Sequence, residues 1–399
     1  MGTTANGKGA LTTVQFSVIF EAQLANPTRQ REQQVIRDCL EQAIFAEEMG
    51  FDRVWAVEHH SLYWYAHMSA PEIFLTAVAA RTSRIRIGHG VVCMPFNYNY
   101  PTRVAERAAM LDIISDGRLD LGAGRGGTAQ EMSLCNVDPE RTVAEVREAL
   151  QIIGQIWLGD EFVWHGDLLD IEAPAGAPRH IVVPRPVQTP HPPLFLACTH
   201  ADTVRTAAQY GVGALAFAFA GLDHVRKLRK TYDEAIAART DDTLVASVVN
   251  DHLAALCPTI VLEDREQARQ IGARGQRFFG ESISHWARPG VPAPNENSEA
   301  EDNVAYMRGM RTTMEERALR GELPQYMNDP SLASATFNIE HAYGTAHDAI
   351  AYVEELQDAG VDEVMCMIQM GTVPQEVCME TMRAWGREVI PHFRRSARA

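Results

Sequence analysis

Residues 85–127 read IRIGHGVVCMPFNYNYPTRVAERAAMLDIISDGRLDLGAGRGG. The apolar run Ile85–Met94, rich in Val and Ile, predicts a buried strand. Pro101 opens a helical stretch to Ile114. Asp116-Gly117 then turns the chain into a second apolar run, Arg118–Ala123. Strand, helix, strand is the unit from which parallel sheets are built.

The same alternation extends in both directions. On the N-terminal side, Val14–Phe20 reads as a strand, Thr28–Met49 as a helix stopped by Gly50, Arg53–Val57 as a strand and Ala70–Thr82 as a helix. On the C-terminal side, Asp138 is a good N-cap for a helix over Pro139–Trp157. A short hairpin is expected over Glu161–Glu172. Ala173–Pro193 holds seven of the chain's 20 prolines, which makes it an extended surface segment. The rhythm then resumes with strands at Leu194–Cys198 and Ala214–Phe219, and a third within Leu244–Leu256. Helices are expected over Ala201–Tyr210, Leu222–Arg239 and Glu263–Phe279. Ser282–Phe337 interrupts as an irregular insertion, with a mobile stretch at Pro289–Asp302 and a helical piece at Val304–Arg320. Thr345 caps a helix to Ala359, Val361–Gln369 is the last strand, and Pro374–His392 the last helix. Eight strand–helix units close most economically into a (β/α)8 TIM barrel, here with a long insertion before the eighth strand. A doubly wound open sheet is the alternative. The expected organisation is a disordered lead-in over residues 1–13 and one barrel domain over 14–399, with 282–337 as a mobile insertion.

Composition narrows the function. The 399 residues carry 36 Lys plus Arg against 52 Asp plus Glu, a net charge of −16, which disfavours nucleic acid as a partner. No apolar run is long enough to span a bilayer, and residues 1–13 lack the apolar core of a secretory signal. The seven scattered cysteines form no C-x-x-C pair, so reduced thiols in the cytoplasm are the simplest expectation, without a disulfide framework or structural zinc.

A barrel of this type places its chemistry at the C-terminal ends of the strands. After strand two comes Glu58-His59-His60, an acid–base candidate. Metal binding is the weaker reading, because adjacent residues of an extended chain point to opposite sides; simple hydrogen bonding at a strand end is the bland one. Strand three carries Gly88-His89-Gly90-Val91, whose glycines allow a ligand or another backbone to come close. After strand four, Gly122, Gly124 and Gly127 satisfy G-x-G-x-x-G. The motif stands fourth in strand order and no convincing helix opens before Pro139, so the dinucleotide reading is set aside for a loop that aims Arg125, beside Gly126, at an anion. After strand five, Thr199, His200 and Thr203 lead into a helix whose N-terminus suits phosphate; ordinary capping by Thr199 is the alternative, and both can hold. Tyr63, Trp64, Tyr65, Phe96, Tyr98 and Tyr100 supply an aromatic rim. Phe20, Trp64, Phe96, Tyr98 and Met370 are the candidate substrate contacts.

These fragments together resemble the flavin-dependent, bacterial-luciferase-like monooxygenases. The resemblance is carried by Val57-Glu58-His59-His60, Arg81-Thr82-Ser83-Arg84-Ile85-Arg86-Ile87-Gly88, Pro101-x-Arg103-x-Ala105-Glu106, Leu111-Asp112-x-x-Ser115-x-Gly117-Arg118, Gly124-Arg125-Gly126, Gly344-Thr345, Asp358-Ala359-Gly360-Val361-Asp362 and Glu388-Val389-Ile390-Pro391-His392-Phe393. It covers nearly the whole chain from residue 14. It implies a (β/α)8 barrel fed with reduced FMN by a separate flavin reductase, O2 as co-substrate and a C4a-peroxyflavin. His59 then matches the catalytic histidine, flanked by Glu58 and His60, and Arg125 the FMN phosphate ligand. His89, Gly90 and Val91 fall near the flavin ring, where members often carry a non-prolyl cis peptide. Thr199 and His200 replace the serines or Glu-Ser pair common at the start of helix five, and the insertion corresponds to a mobile loop over the site. A homodimer or homo-oligomer is implied as well. Two other readings stay open: an F420-dependent hydride-transferring oxidoreductase of the same superfamily, and a non-catalytic flavin-binding relative. The substrate is expected to be a small apolar or aromatic molecule.

Overall fold

The computed structural model describes residues 14–288, 290–295, 302–323 and 329–396. Eight strands form the frame: β1 (Gln15–Phe20), β2 (Arg53–Ala56), β3 (Arg86–Cys93), β4 (Leu119–Gly124), β5 (Leu194–Cys198), β6 (Gly213–Ala216), β7 (Leu253–Val261) and β8 (Glu363–Met367). Each runs parallel to the next. β8 returns to β1 through Gln15↔Glu363 and Val18↔Cys366, so the eight strands close into a barrel. This is the expected (β/α)8 barrel; an open doubly wound sheet would leave those two strands unpaired.

The helices are α1 (Arg29–Glu48), α2 (Pro71–Ala79), α3 (Pro101–Ile114), α4 (Ala129–Leu134), α5 (Thr142–Leu158), α6 (Ala201–Tyr210), α7 (Leu222–Ala237), α8 (Arg265–Ala287), α9 (Asn303–Leu319), α10 (Pro330–Ala333), α11 (Ala346–Asp358), α12 (Gln375–Ala384) and α13 (Ile390–Ser396). Local chemistry sets their ends. Thr28 Oγ1 accepts the Arg31 N–H and caps α1, while α3 starts at Pro101, whose missing N–H costs nothing at that position. Thr345 and Asp348 cap α11 reciprocally, as the sequence suggests. No described helix is long and apolar enough to cross a membrane.

Several expectations are corrected. α5 starts at Thr142, not Pro139. Asp138 Oδ1 accepts the N–H of Glu140, two residues on, and so makes a turn instead of a cap. The six-residue α4 was not expected at all. β7 continues to Val261, past the expected Leu256. Beyond its pairing with β8, its second half pairs with a short strand, Ala342–Gly344. α8 runs to Ala287, so residues 282–287 belong to a helix anchored by buried Phe278 and Phe279, not to an irregular insertion. Residues 1–13, expected to be disordered, lie outside the described residues. So do residues 289 and 296–301 of the stretch expected to be mobile.

Side chains alternate along each strand, and this decides what faces the lumen. On β1, Phe16 and Phe20 point outward, against Trp385 and Phe393 at the C-terminal end and against Phe74 of α2. The lower lumen is filled by an ionic plug. Arg53 Nε donates to Asp120 Oδ2 at 2.7 Å, and its Nη1 pairs with Glu363. Trp55 Nε1 and His252 Nε2 reach Glu363 at 2.7 and 2.9 Å. Arg86 bonds Asp120 twice, at 2.7 and 2.8 Å. Burial opposes charge on Glu363, but Arg53 and His252 outweigh it and hold the carboxyl far below its ordinary range. With the bottom sealed, the lumen opens toward the C-terminal strand ends.

Candidate active site

The residues just past β1, β2 and β4 meet at that rim. His59 Nδ1 lies 2.8 Å from Glu131 Oε1. Glu131 is fully buried. It also accepts the backbone N–H of His60 at 3.2 Å and of Gly127 at 3.3 Å, and the Thr128 hydroxyl at 2.9 Å. Thr128 caps α4 by accepting the Glu131 N–H, so the cap holds the carboxylate in place for His59. Burial of Glu131 disfavours its charge, yet the hydrogen bond and charge of His59 prevail and lower its pKa. Burial likewise works against imidazolium at His59. The hydrogen bond to Glu131 and the charge of Glu21 override it and raise the histidine's pKa above the ordinary value.

Glu21 completes the cluster. It follows Phe20, and the strand alternation turns it into the lumen beside His59, with Oε2 3.8 Å from Nε2. The Tyr65 hydroxyl approaches its other oxygen at 3.4 Å. Burial raises the Glu21 pKa to about 7 against the opposing pull of His59, so this acid changes charge near neutrality.

Sequence reasoning missed both carboxylates. A signal existed for Glu131: Thr128-x-x-Glu131 is a capping-box pattern. For Glu21 the signal was positional, since it is the first charged residue after an apolar strand.

Glu58 and His60, expected with His59 as catalytic, point the other way. Glu58 Oε2 accepts the N–H of Cys93 at 2.8 Å, and its Oε1 meets Asn99 Nδ2 and His60 Nε2 at 2.9 Å each. His60 stacks on Tyr98. The pair braces the loops after β2 and β3 against each other. His89 also faces outward, over a small gap lined by Glu58, Asn99, Arg107, Val104 and Leu121, and burial lowers its pKa to about 4. Its backbone stays at the lumen, because Gly88 faces inward; a Cβ there would run into the Trp55 ring. The Gly90–Val91 peptide is cis, and both residues are half-buried at the rim.

Arg125 is exposed just past β4 and makes no hydrogen bond or ion pair among the described residues. Gly126 adopts φ +84 and lets the loop pass Tyr98, whose ring a Cβ would meet at 3.0 Å. β4 and β5 pair through Ala123↔Leu196, so Arg125 and Thr199 leave the rim side by side. Thr199 is exposed. The N-cap of α6 is His200, not Thr199; Thr203 Oγ1 accepts its N–H at 3.2 Å. An unpaired guanidinium, a hydroxyl and a helix N-terminus thus follow two neighbouring strand ends.

The expected substrate contacts do not gather. Phe20 packs outward on Phe74. Met370 is buried, with a Cβ at Gly275 of α8 falling 3.2 Å from its side chain. The Phe96 N–H bonds Glu145 Oε2 at 3.1 Å, and its partly buried ring packs against the core. Tyr98 covers His60, and Trp64 meets His285 and Trp286 at the end of α8. Of the expected rim aromatics, Tyr65 does stand beside His59, and Phe279, Phe219 and Phe217 continue from it.

Residues 14–363 match the family model described as luciferase-like monooxygenase. The chain is 30% identical over 283 residues to 4-hydroxyprotoasukamycin monooxygenase of Streptomyces nodosus subsp. asukaensis, across 69% of this chain and 72% of that one. It is 27% identical to the oxygenase component of flavin-dependent trigonelline monooxygenase of Acinetobacter baylyi, across 65% and 68%. An F420-dependent glucose-6-phosphate dehydrogenase of Amycolatopsis mediterranei is 35% identical over 141 residues, 34% of this chain and 42% of that one. A monooxygenase structure from Streptomyces bottropensis superposes with a TM-score of 0.73 at 23% identity, covering 95% of this chain and 99% of the other.

Proposed function

Since the chain belongs to the luciferase-like monooxygenase family, we propose that it is the oxygenase of a two-component system that uses reduced FMN and O2 to oxygenate a small organic substrate. The observation that carries this reading is the pairing, on one rim, of the His59–Glu131 dyad with the free Arg125 guanidinium. The residues present fit FMN. Arg125, Thr199 and the first N–H groups of α6 would hold the phosphate, and the half-buried Gly90–Val91 segment would lie against the ring at the rim. A relative named as an oxygenase component supports delivery by a separate flavin reductase.

Bound reduced FMN supplies the electrons that activate O2. The protein's own contribution is binding and proton control. Glu131 keeps a proton on His59 Nδ1 and leaves Nε2 facing the site. Glu21 is a second proton position beside it. The aromatic wall and the plugged barrel floor keep water from the reacting atoms. Exposed Ile73, Met110, Ile113 and Ile114 on α2 and α3 support a homodimer through that face. We read residues 14–399 as one catalytic domain.

The partial match to an F420-dependent dehydrogenase favours the second reading, hydride transfer from or to F420 on the same rim. Competition between reduced FMN and reduced F420 under anaerobic conditions tests the choice. Preference for FMN supports the oxygenase, and preference for F420 replaces it.

A further inference from the structure

Glu21 Oε2 is buried and has no hydrogen-bond partner among the described residues. Its other oxygen, Oε1, accepts the Tyr65 hydroxyl at 3.4 Å. His59 Nδ1 is taken by Glu131, so Nε2 is the free end of the ring. The 3.8 Å between Glu21 Oε2 and His59 Nε2 is too long for a direct hydrogen bond. A small oxygen seated off their line would reach both. A hydroxyl fits best, because it donates to a carboxylate and accepts from, or as an anion is held by, an imidazole N–H. A carbonyl only accepts, so it suits both groups only while Glu21 keeps its proton; against the carboxylate it sets lone pairs against lone pairs.

The aromatic wall starts at the same point. The His59 ring is 5.1 Å from Tyr65, and Tyr65 is 5.4 Å from Phe279. Phe279 and Phe219 lie 5.3 Å apart at 4°, and Phe217 stacks on Phe219 at 4.5 Å and 26°. Phe217 is also 6.4 Å from Phe279, at 24°. Phe219 and Phe279 are buried, while Phe217, just past β6, is half-buried and forms the open end of the stack. The rings stack face over face, so the open end offers one flat apolar face, that of Phe217, which matches a planar body better than a flexible chain.

We propose that this site takes a planar hydroxyarene, with its hydroxyl oxygen between Glu21 Oε2 and His59 Nε2 and its ring toward the open face of Phe217. This names the substrate class of the oxygenase proposed above and rests on that reading for the oxygenation step. On binding, the O–H bond breaks and the proton passes to Glu21, giving a neutral carboxylic acid. The electron pair stays on the aryl oxygen, and the resulting aryloxide is held by the Nε2–H of a His59 imidazolium paired with Glu131. Nothing is oxidised or reduced in this step.

The test uses 2-naphthol, its methyl ether and the saturated alcohol 2-decalol, titrated calorimetrically into the full chain with and without oxidised FMN. The naphtholate absorption band of the flavin-free complex reads the proton transfer. We expect 2-naphthol to bind about ten-fold tighter than either analogue, with a naphtholate band near neutral pH. Glu21→Gln should abolish the band. Phe217→Ala should weaken 2-naphthol while leaving 2-decalol unchanged; that variant keeps the test alive if Glu21→Gln does not fold. No binding of 2-naphthol, or equal affinity for the ether, overturns the hydroxyl site. Equal affinity for 2-decalol overturns the planar slot, and an undiminished band in Glu21→Gln removes the carboxylate from its role. Failure of FMN itself to bind would count against the oxygenase reading and leave the naphthol result standing.

Discussion

His59 Nδ1 and Glu131 Oε1 sit 2.8 Å apart although 72 residues separate them in the chain. The imidazole arrives on the loop after β2, and the carboxylate on the six-residue α4, which Thr128 caps. The closure of the barrel brings the two together. The consequence is a histidine kept charged above its ordinary range, with one nitrogen still open to the site.

Replacing Glu131 with Gln keeps the shape and removes the charge. The His59 titration should then move down in pH, and turnover should fall by about 10²-fold, the usual scale of positioned acid–base catalysis. Ring-proton NMR of His59 through a pH titration checks the first part directly. An unmoved titration would separate Glu131 from the histidine's protonation.

Glu21 makes a signed prediction about stability. Its folded pKa is raised to about 7 from 4.5, so the native state holds a proton that the unfolded chain has released. Stability from this group is full below about pH 4.5 and declines as pH rises to about 7, by up to about 3 kcal/mol. Glu21→Gln should flatten that decline, leaving the variant more stable than the parent near pH 8. Urea unfolding at several pH values measures it, and parallel curves for the two proteins would contradict the assignment.

Arg125→Ala should weaken FMN by about 10- to 100-fold, the worth of a charge-assisted hydrogen bond or two. Riboflavin, which lacks the phosphate, should bind as before. Flavin fluorescence titration distinguishes the two, and equal losses would mean that Arg125 holds something other than phosphate.

Periodicity and turn signals in the sequence set the strand–helix order, and α3 lies where Pro101 and Ile114 place it. Local patterns failed where long-range contacts decide. Glu58 reads as a catalytic partner because it adjoins His59, yet it is held by Cys93 and Asn99, 35 and 41 residues away. Phe20 reads as a substrate contact, but strand alternation sends it outward and Glu21 inward. Phe217 and Phe279 give no signal as a pair, because nothing in either neighbourhood announces that their rings will lie in parallel.

The barrel floor should be separable from the chemistry. Arg53→Met strips Asp120 and Glu363 of a shared buried counter-charge, though Arg86 still holds Asp120. Breaking a buried pair from one side costs about 3–5 kcal/mol. Denaturant unfolding should show that loss, while FMN affinity of the folded fraction stays unchanged. A variant as stable as the parent would mean the plug is solvated.

The most direct measurement is an anaerobic titration of the full chain with reduced FMN and, separately, with reduced F420. An FMN-dependent oxygenase should bind reduced FMN at least about ten-fold tighter, and Arg125→Ala should erase most of that preference. Tighter binding of reduced F420, unaffected by Arg125, would contradict the oxygenase reading and assign the His59–Glu131 dyad to hydride-transfer chemistry.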